Sequence, residues 1–313
     1  MAIESSQRAP TRAATPRRAP NLWRWTAAAL VVAAGAHLLG SWGGLDWPGR
    51  LAQLGNHLPA AGACLALSAA FIACKGLALC RSAARAGIHL NWPAAARLFV
   101  EGAVVELGAW PGKVLGDAYR VTALPEGQAA MRIQAVGGFR LATLAAAALL
   151  AAPALPVVAG TFGALSAMVA CGGLAVGGLW LAKRFKQWRS WRDGAMAATP
   201  PAVAAALTDV GAAALLAWAL TGTNPAAFAP WYVAGAVLGA LSQMPLGLGV
   251  ADACCWAGLT RMGVAPADAT AVVVSWRLLG SGSTVLAGVI SLGARSASGI
   301  LRYAARQAAN GVP

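Results

Sequence analysis

The feature that most constrains this chain is a succession of apolar runs, each long enough to cross a lipid bilayer as an α-helix. A bilayer core about 30 Å thick needs roughly 20 consecutive apolar residues. Runs of about this length occupy residues 25–43, 58–80, 134–152, 154–182, 201–221 and 267–292. The composition agrees, because 58% of the residues are hydrophobic and only 11% are charged. The sequence therefore predicts an all-α, polytopic membrane helix bundle.

Basic residues lie between these runs, and they bear on the orientation of the chain in the membrane. The formal net charge is +14. Clusters of Lys and Arg favour the cytoplasmic side, and here they occupy residues 1–24, 81–97, 183–192 and 295–306. Their placement between apolar runs argues against a nucleic-acid-binding protein. The sequence instead predicts a multi-pass protein of the cytoplasmic (inner) membrane with both termini in the cytoplasm.

The same clusters divide the chain. We expect residues 1–24 to form a basic, disordered cytoplasmic tail, residues 25–295 to form the transmembrane domain, and residues 296–313 to form a second cytoplasmic tail. Trp188 and Trp191 lie within the basic stretch 183–193, a combination typical of a membrane interface. An ordinary cytoplasmic loop is the alternative for that stretch.

Two basic clusters on the same side of the membrane must be separated by an even number of crossings. Three crossings between residues 97 and 183 would put the third cluster outside the cell, so we expect residues 94–132 to enter and leave by one face. Residues 231–263 hold two apolar stretches that are too short to cross comfortably. They either dip in from the opposite face or cross twice. The sequence thus predicts six to eight spans with two broken or re-entrant helix hairpins in an inverted-repeat arrangement.

Each predicted hairpin contains a break that is rich in Pro and Gly and is followed by an acidic residue. Residues 111–120 read PGKVLGDAYR, and residues 245–252 read PLGLGVAD. Broken backbone is tolerated at membrane depth only where it is buried in protein or lines a wet cavity. A helix that starts afresh after such a break presents N–H groups that suit an anion. A plain loop between two helices is the alternative.

Charged residues follow the first break at helical spacing. Lys113, Asp117 and Arg120 are four and three residues apart, so they share one helical face. That face is a candidate headgroup site, or else the solvated side of an interfacial helix. Intramembrane charges are functional candidates by default, although pairing for structure explains them equally well.

Other charges in apolar sequence have structural interpretations. We expect Lys75, near the end of its run, to extend to the membrane interface. Arg97 and Glu101 are four residues apart and are expected to pair, whereas Glu106 points elsewhere. The six cysteines have no metal-ligand spacing and are expected to be small buried side chains.

With its two breaks, the chain resembles the lysylphosphatidylglycerol synthase transmembrane region, also called the flippase-like domain family. The resemblance covers most of residues 25–295. The positions that match the family's two motifs and its arginines are Pro111, Gly112, Gly116, Asp117, Arg120, Arg140, Pro245, Gly247, Gly249, Asp252, Gly263, Val264 and Arg277. The chain departs from the family pattern at Phe139, where an acid is usual, at Leu246, where Gly is usual, and in having Asp rather than Glu as both motif acids.

The resemblance implies a lipid translocase that moves or binds an anionic phospholipid or a lipid-linked headgroup. The candidate headgroup-binding residues are Gly112, Lys113, Gly116, Asp117, Arg120, Arg140, Gly247, Gly249, Asp252 and Arg277. No catalytic, cofactor or metal set is evident, and no GxxxxGK[ST] motif for ATP occurs. Any driving force is therefore a gradient, or transport is passive.

Two alternatives remain open. One is a membrane-embedded lipid-modifying transferase, in which Asp117 or Asp252 acts as a base. The other is an accessory subunit of a lipid-synthesis pathway, for example for hopanoids or lipid-linked sugars. Runs of small residues such as Ala145–Ala148 are compatible with a homo-oligomer or with a lipid-synthesis partner.

Overall fold

The computed structural model describes residues 55–108, 112–125, 127–154, 188–241 and 245–309. These residues form helices joined by short turns, with no β-strand among them. The helices are α1 Leu58–Arg85, α2 Trp92–Glu106, α3 Gly112–Ala123, α4 Ala129–Ala154, α5 Trp188–Thr221, α6 Pro225–Leu241, α7 Val250–Arg261, α8 Pro266–Trp276 and α9 Ser283–Ala309. A π-helical turn, Arg277–Gly282, joins α8 to α9.

Among the described residues, four stretches of helix are long and apolar enough to cross a membrane. They are Leu58–Arg85, Ala129–Ala154, Trp191–Thr221 and Pro266–Ser296. They contain four of the predicted spans, and the all-helical class is confirmed. The predicted tail 1–24, the span 25–43 and nearly all of the span 154–182 lie outside the described residues. The count of six to eight spans and the inverted repeat therefore stay predictions.

The shorter helices pair into two antiparallel hairpins. In the first hairpin, α2 packs on α3, and Gly116 lies against Glu106 and the carbonyl oxygen of Gly102. In the second hairpin, α6 packs on α7, and Gly239 lies against Gly247. Glycine at these contacts lets the two backbones approach closely. Whether each hairpin enters and leaves by a single membrane face stays a prediction.

Local sequence sets where both hairpins begin. Asn91 precedes α2, and its side-chain oxygen accepts a hydrogen bond from the Ala94 N–H at 2.9 Å. Asn224 does the same before α6, with the Ala226 N–H as donor at 2.9 Å. A proline follows each asparagine within the first turn, where its missing N–H costs nothing.

The described residues form two large buried core clusters and a small third one of Ala151, Ala154 and Val233. The first joins α1, α2, α4 and the start of α5, with Leu79, Leu98 and Phe139 among its members. The second joins α1, α5, α6, α7 and α8 around Leu216 and Trp276. Much of each part is alanine, which allows α1 and α5 to pack closely along their length.

Candidate functional site

The two breaks that the sequence singled out meet in space. A Cβ atom placed on Gly112, at the tip of the first hairpin, would lie 3.0 Å from the ring of Pro245, at the tip of the second. The two tips are thus in contact although they are more than 130 residues apart in sequence. Their contact brings the charged side chains that follow each break towards one place.

A cavity of about 240 Å³ lies beside the hairpin tips. It is bounded by both hairpins and by parts of α1, α4, α5, α9 and the π-helical turn. Its polar wall consists of Ser68, Lys75, Glu106, Lys113, Arg120, Arg140, Thr143, Asp209, Tyr232, Asp252, Arg277, Ser281 and Thr284. A space of this size accommodates several water molecules or a small headgroup.

In the first hairpin, Arg120 is the centre of an ion network. Its guanidinium donates to Asp117 at 2.8 Å and to Glu106 at 3.0 Å, and it is only 1% exposed. The other oxygen of Asp117 accepts from Arg140 on α4. The predicted shared face of α3 is confirmed. Glu106 has different partners from Glu101, which agrees with the prediction that it points elsewhere, and the antiparallel turn between α2 and α3 brings its carboxylate to Arg120.

At the second hairpin, Asp252 on α7 forms the corresponding pair with Arg277 of the π-helical turn. The Arg277 Nε–H donates to Asp252 at 2.6 Å, and the same guanidinium donates to the carbonyl oxygen of Leu246 at 3.0 Å. Asp252 also accepts from the Gly249 N–H at 2.8 Å, which caps the start of α7. The arginine thus holds both the acid and the backbone of the break.

The backbone of the second break is left-handed at three positions. Leu246 has φ of 50°, Gly247 of 70° and Gly249 of 81°. Glycine adopts this conformation freely, whereas a residue with a side chain is strained in it. Leu246 is the position at which the resembled family has glycine.

Two lysines face the cavity, and unlike the arginines they contact neutral groups. Lys113 donates from Nζ to the carbonyl oxygen of Gly239 at 2.7 Å. Lys75 is 7% exposed, with its Nζ 5.4 Å from the centre of the Phe71 ring and 3.5 Å from the Thr143 hydroxyl. Within the described parts of the chain, neither ammonium pairs with a carboxylate.

The expectation that Lys75 extends to the membrane interface is therefore wrong. α1 packs against α2 and α5, and this packing turns the lysine face of the helix inward. Position near the end of an apolar run suggested an interfacial lysine, but it carries no information about which neighbours cover that face.

The cavity also contains residues that the sequence did not select as candidates. They are Lys75, Glu106, Asp209 and Tyr232. Asp209 lies within a predicted span, and its carboxylate accepts from the Tyr232 hydroxyl at 2.7 Å. A charge inside an apolar span is a functional candidate by default, so Lys75 and Asp209 had a signal in the sequence. Tyr232 had none.

The candidate headgroup-binding residues predicted from the sequence fall into three groups by their position in the structure. Those that line the cavity are Lys113, Arg120, Arg140, Gly247, Asp252 and Arg277. Asp117 contacts the site through the two arginines that it binds. Gly112 and Gly116 pack the first hairpin, and Gly249 begins α7.

Glu101 lies apart from the cavity and was expected to pair with Arg97. Its carboxylate, 0% exposed, instead accepts from Tyr119 and Ser291 at 2.6 Å each and pairs with Arg295 at 3.2 Å. That prediction is wrong, because the face of α2 with Glu101 packs against α3 and α9. Glu101 therefore fastens the first hairpin to the last helix.

Among the described residues, no group of three His, Cys, Asp or Glu side chains is arranged to hold a metal ion. No protein-family model and no curated protein matches the sequence. The resemblance to the lysylphosphatidylglycerol synthase transmembrane region thus stays a prediction that its two motifs support, and the function has to be argued from the site.

Proposed function

We propose that this protein is a flippase-like integral membrane protein that binds the anionic headgroup of a phospholipid or a lipid-linked molecule and moves it between leaflets. One observation carries the proposal: the ammonium groups of Lys75 and Lys113 face a cavity between apolar helices without a carboxylate partner in the described structure. A cation in such a place is costly unless a counter-charge joins it.

The charge of the whole wall supports an anionic ligand. Among the described residues, five cations line the cavity, and three carboxylates line it with them. Arg120, Arg140 and Arg277 are each engaged by a carboxylate, which leaves the two lysines as the groups that are available to a ligand. A phosphate supplies oxygens that accept strong charge-assisted hydrogen bonds from ammonium groups.

The surroundings suit a ligand with an apolar tail. Phe71, Phe99, Phe139 and Trp276 contribute apolar rings to the same cavity. A polar headgroup held by the lysines would leave its chains beside apolar helix surface. If the two hairpins enter from opposite membrane faces, movement of one against the other gives alternate access to the two leaflets. Location in the cytoplasmic membrane, with both termini in the cytoplasm, belongs to this proposal.

The test is headgroup sidedness in proteoliposomes. Fluorescent phosphatidylglycerol and phosphatidylcholine are placed in both leaflets, and a membrane-impermeant quencher reports exchange. We expect wild-type protein to speed exchange of the anionic lipid, and the double variant Lys75→Gln/Lys113→Gln to lose at least about nine tenths of that rate. Arg192→Gln is the control, because it removes one charge from a side chain that is 54% exposed and is not part of the cavity wall.

Two results would contradict the proposal. One is exchange at the rate of protein-free liposomes for both lipids with folded wild-type protein. The other is equal exchange by the wild type and the folded lysine variant. Lipid mass spectrometry of the same vesicles addresses the transferase alternative, since a new lipid species would indicate an enzyme.

A further inference from the structure

Asp209 differs from the other carboxylates of the site. Glu106, Asp117 and Asp252 each accept from an arginine at 3.0 Å or less. Asp209 accepts from the Tyr232 hydroxyl, and no cation lies within ion-pair distance of it among the described residues. A carboxylate between apolar helices without a cation partner is costly when ionised.

The ionisable groups that face Asp209 come from four packed elements. They are Cys64 and Lys75 on α1, Tyr232 on α6, Cys255 on α7 and Arg277 in the π-helical turn. Of the other neighbours, α8 contributes the Trp276 ring to the same cavity, and α4, whose Ala151 and Ala154 cluster with Val210, contributes Arg140 and Thr143. Arg140 is paired with Asp117. Arg277 is held by Asp252 and by the carbonyl oxygen of Leu246. Lys75 is therefore the cation whose positive charge Asp209 offsets.

The charges of the site depend on one proton. Among the described residues, the lining side chains together with Asp117 comprise five cations and four carboxylates, which leaves one excess positive charge when Asp209 is ionised. When Asp209 carries a proton, the excess is two. A phosphodiester headgroup bears one negative charge, whereas a terminal phosphomonoester bears close to two at neutral pH. A monoester is therefore neutralised by the site only if Asp209 is protonated.

Resting on the proposed function, we propose that the site takes a lipid with a terminal phosphomonoester and that Asp209 takes up one proton from water as the dianion binds. The phosphate oxygens accept from Lys75 and Lys113, and the new O–H on Asp209 removes its repulsion with the phosphate. Because Asp209 forms no ion pair with any residue that the structure describes, it gains the proton without breaking one. Phosphate and proton then occupy the cavity together, which links headgroup binding to a proton gradient.

The experiment is calorimetry of full-length protein with dioctanoyl phosphatidic acid at pH 8, repeated in buffers of different ionisation enthalpy. We expect uptake of about one proton per lipid bound. With one proton linked to binding, Kd should rise by up to about tenfold per pH unit between pH 7.5 and 8.5. Dioctanoyl phosphatidylglycerol, a diester, should bind with no proton uptake and with Kd unchanged over the same range.

Two variants locate the proton. Asp209→Asn should abolish proton uptake and bind phosphatidic acid more tightly than the wild type at pH 8.5. Lys75→Arg/Lys113→Arg keeps both charges on groups that do not titrate in this range, and it should retain the uptake. Uptake that persists in Asp209→Asn, or that disappears in the arginine variant, would assign the proton elsewhere and overturn the proposal.

The different ligands distinguish a failure of the Asp209 assignment from a failure of the proposed function. If neither lipid binds the folded protein, the proposed function fails. If both lipids bind without proton uptake, the function stands and the role of Asp209 is refuted. Inorganic phosphate is the third ligand: binding as tight as that of phosphatidic acid, with one proton, would keep the Asp209 assignment and overturn the lipid as the source of the phosphate.

Discussion

Lys113 in the first hairpin donates a hydrogen bond to the carbonyl oxygen of Gly239 in the second, 2.7 Å away and 126 residues later in the chain. Gly239 in turn packs against Gly247 in the second break. The bond therefore joins the two hairpins beside the cavity, and it makes the lysine both a structural contact and a charged part of the wall.

We predict that Lys113→Met lowers the stability of the protein and that Lys113→Arg does so much less. Methionine has a similar length but no donor, so the loss is about 1.5–3 kcal/mol, the range for hydrogen bonds from charged groups. Thermal unfolding in detergent, followed by circular dichroism, measures the difference. An equal loss in both variants would show that packing, rather than the hydrogen bond, joins the hairpins here.

The pair formed by Asp252 and Arg277 should show coupling in a double-mutant cycle. Asp252→Asn and Arg277→Gln each break a short contact and should each cost about 2 kcal/mol, because a charged partner stays partly buried. The double variant should lose less than the sum of the two, by about 1 kcal/mol or more. Unfolding by titration with a denaturing detergent measures all four proteins, and strictly additive losses would refute the coupling.

The backbone conformation at position 246 should favour glycine. Its φ of 50° is a left-handed conformation that costs a residue with a side chain about 1–2 kcal/mol. Leu246→Gly removes that strain, although glycine is freer when unfolded, so stability should stay equal or rise. Leu246→Val should fall below the wild type, because β-branched residues are the least compatible with this conformation. Melting temperatures in the order Gly, Leu, Val would agree, and a valine variant above the wild type would not.

Close packing of the first hairpin should make Gly116 intolerant of substitution. A Cβ there would lie 2.4 Å from the Glu106 side chain and 2.8 Å from the carbonyl oxygen of Gly102, and the carbonyl cannot move without the helix. We expect Gly116→Ala to cost about 1–3 kcal/mol and to disturb the contact between Arg120 and Glu106.

Gly62→Ala on α1 is the matched control for this prediction. A Cβ at Gly62 meets nothing within 4 Å, so alanine should be neutral or stabilising by up to about 1 kcal/mol. Thermal unfolding compares the two variants directly. Similar melting temperatures for both would mean that the helices of the first hairpin separate easily.

Local features of the sequence determined the secondary structure and the places where it breaks. Apolar runs of bilayer length became the long helices α1, α4, α5 and the helix that includes α8. Both Pro- and Gly-rich breaks lie at hairpin tips, although Pro111 of the first lies outside the described residues. In the second break, glycine tolerates the positive φ at Gly247 and Gly249. Spacing alone placed Lys113, Asp117 and Arg120 on one face of α3. These properties depend on residues close in sequence, so they are visible without a fold.

Only the tertiary structure decided which charges meet. Lys75 and Asp209 lie on different long helices but line the same cavity. Glu101 accepts a hydrogen bond from Ser291, which is 190 residues away in sequence. An apolar helix of small residues has no marked polar face, so its pattern does not tell which side turns to lipid and which to protein. That choice comes from packing between distant helices. It placed Lys75 and Asp209 in the cavity, where the sequence had suggested an interfacial lysine and no role for the aspartate.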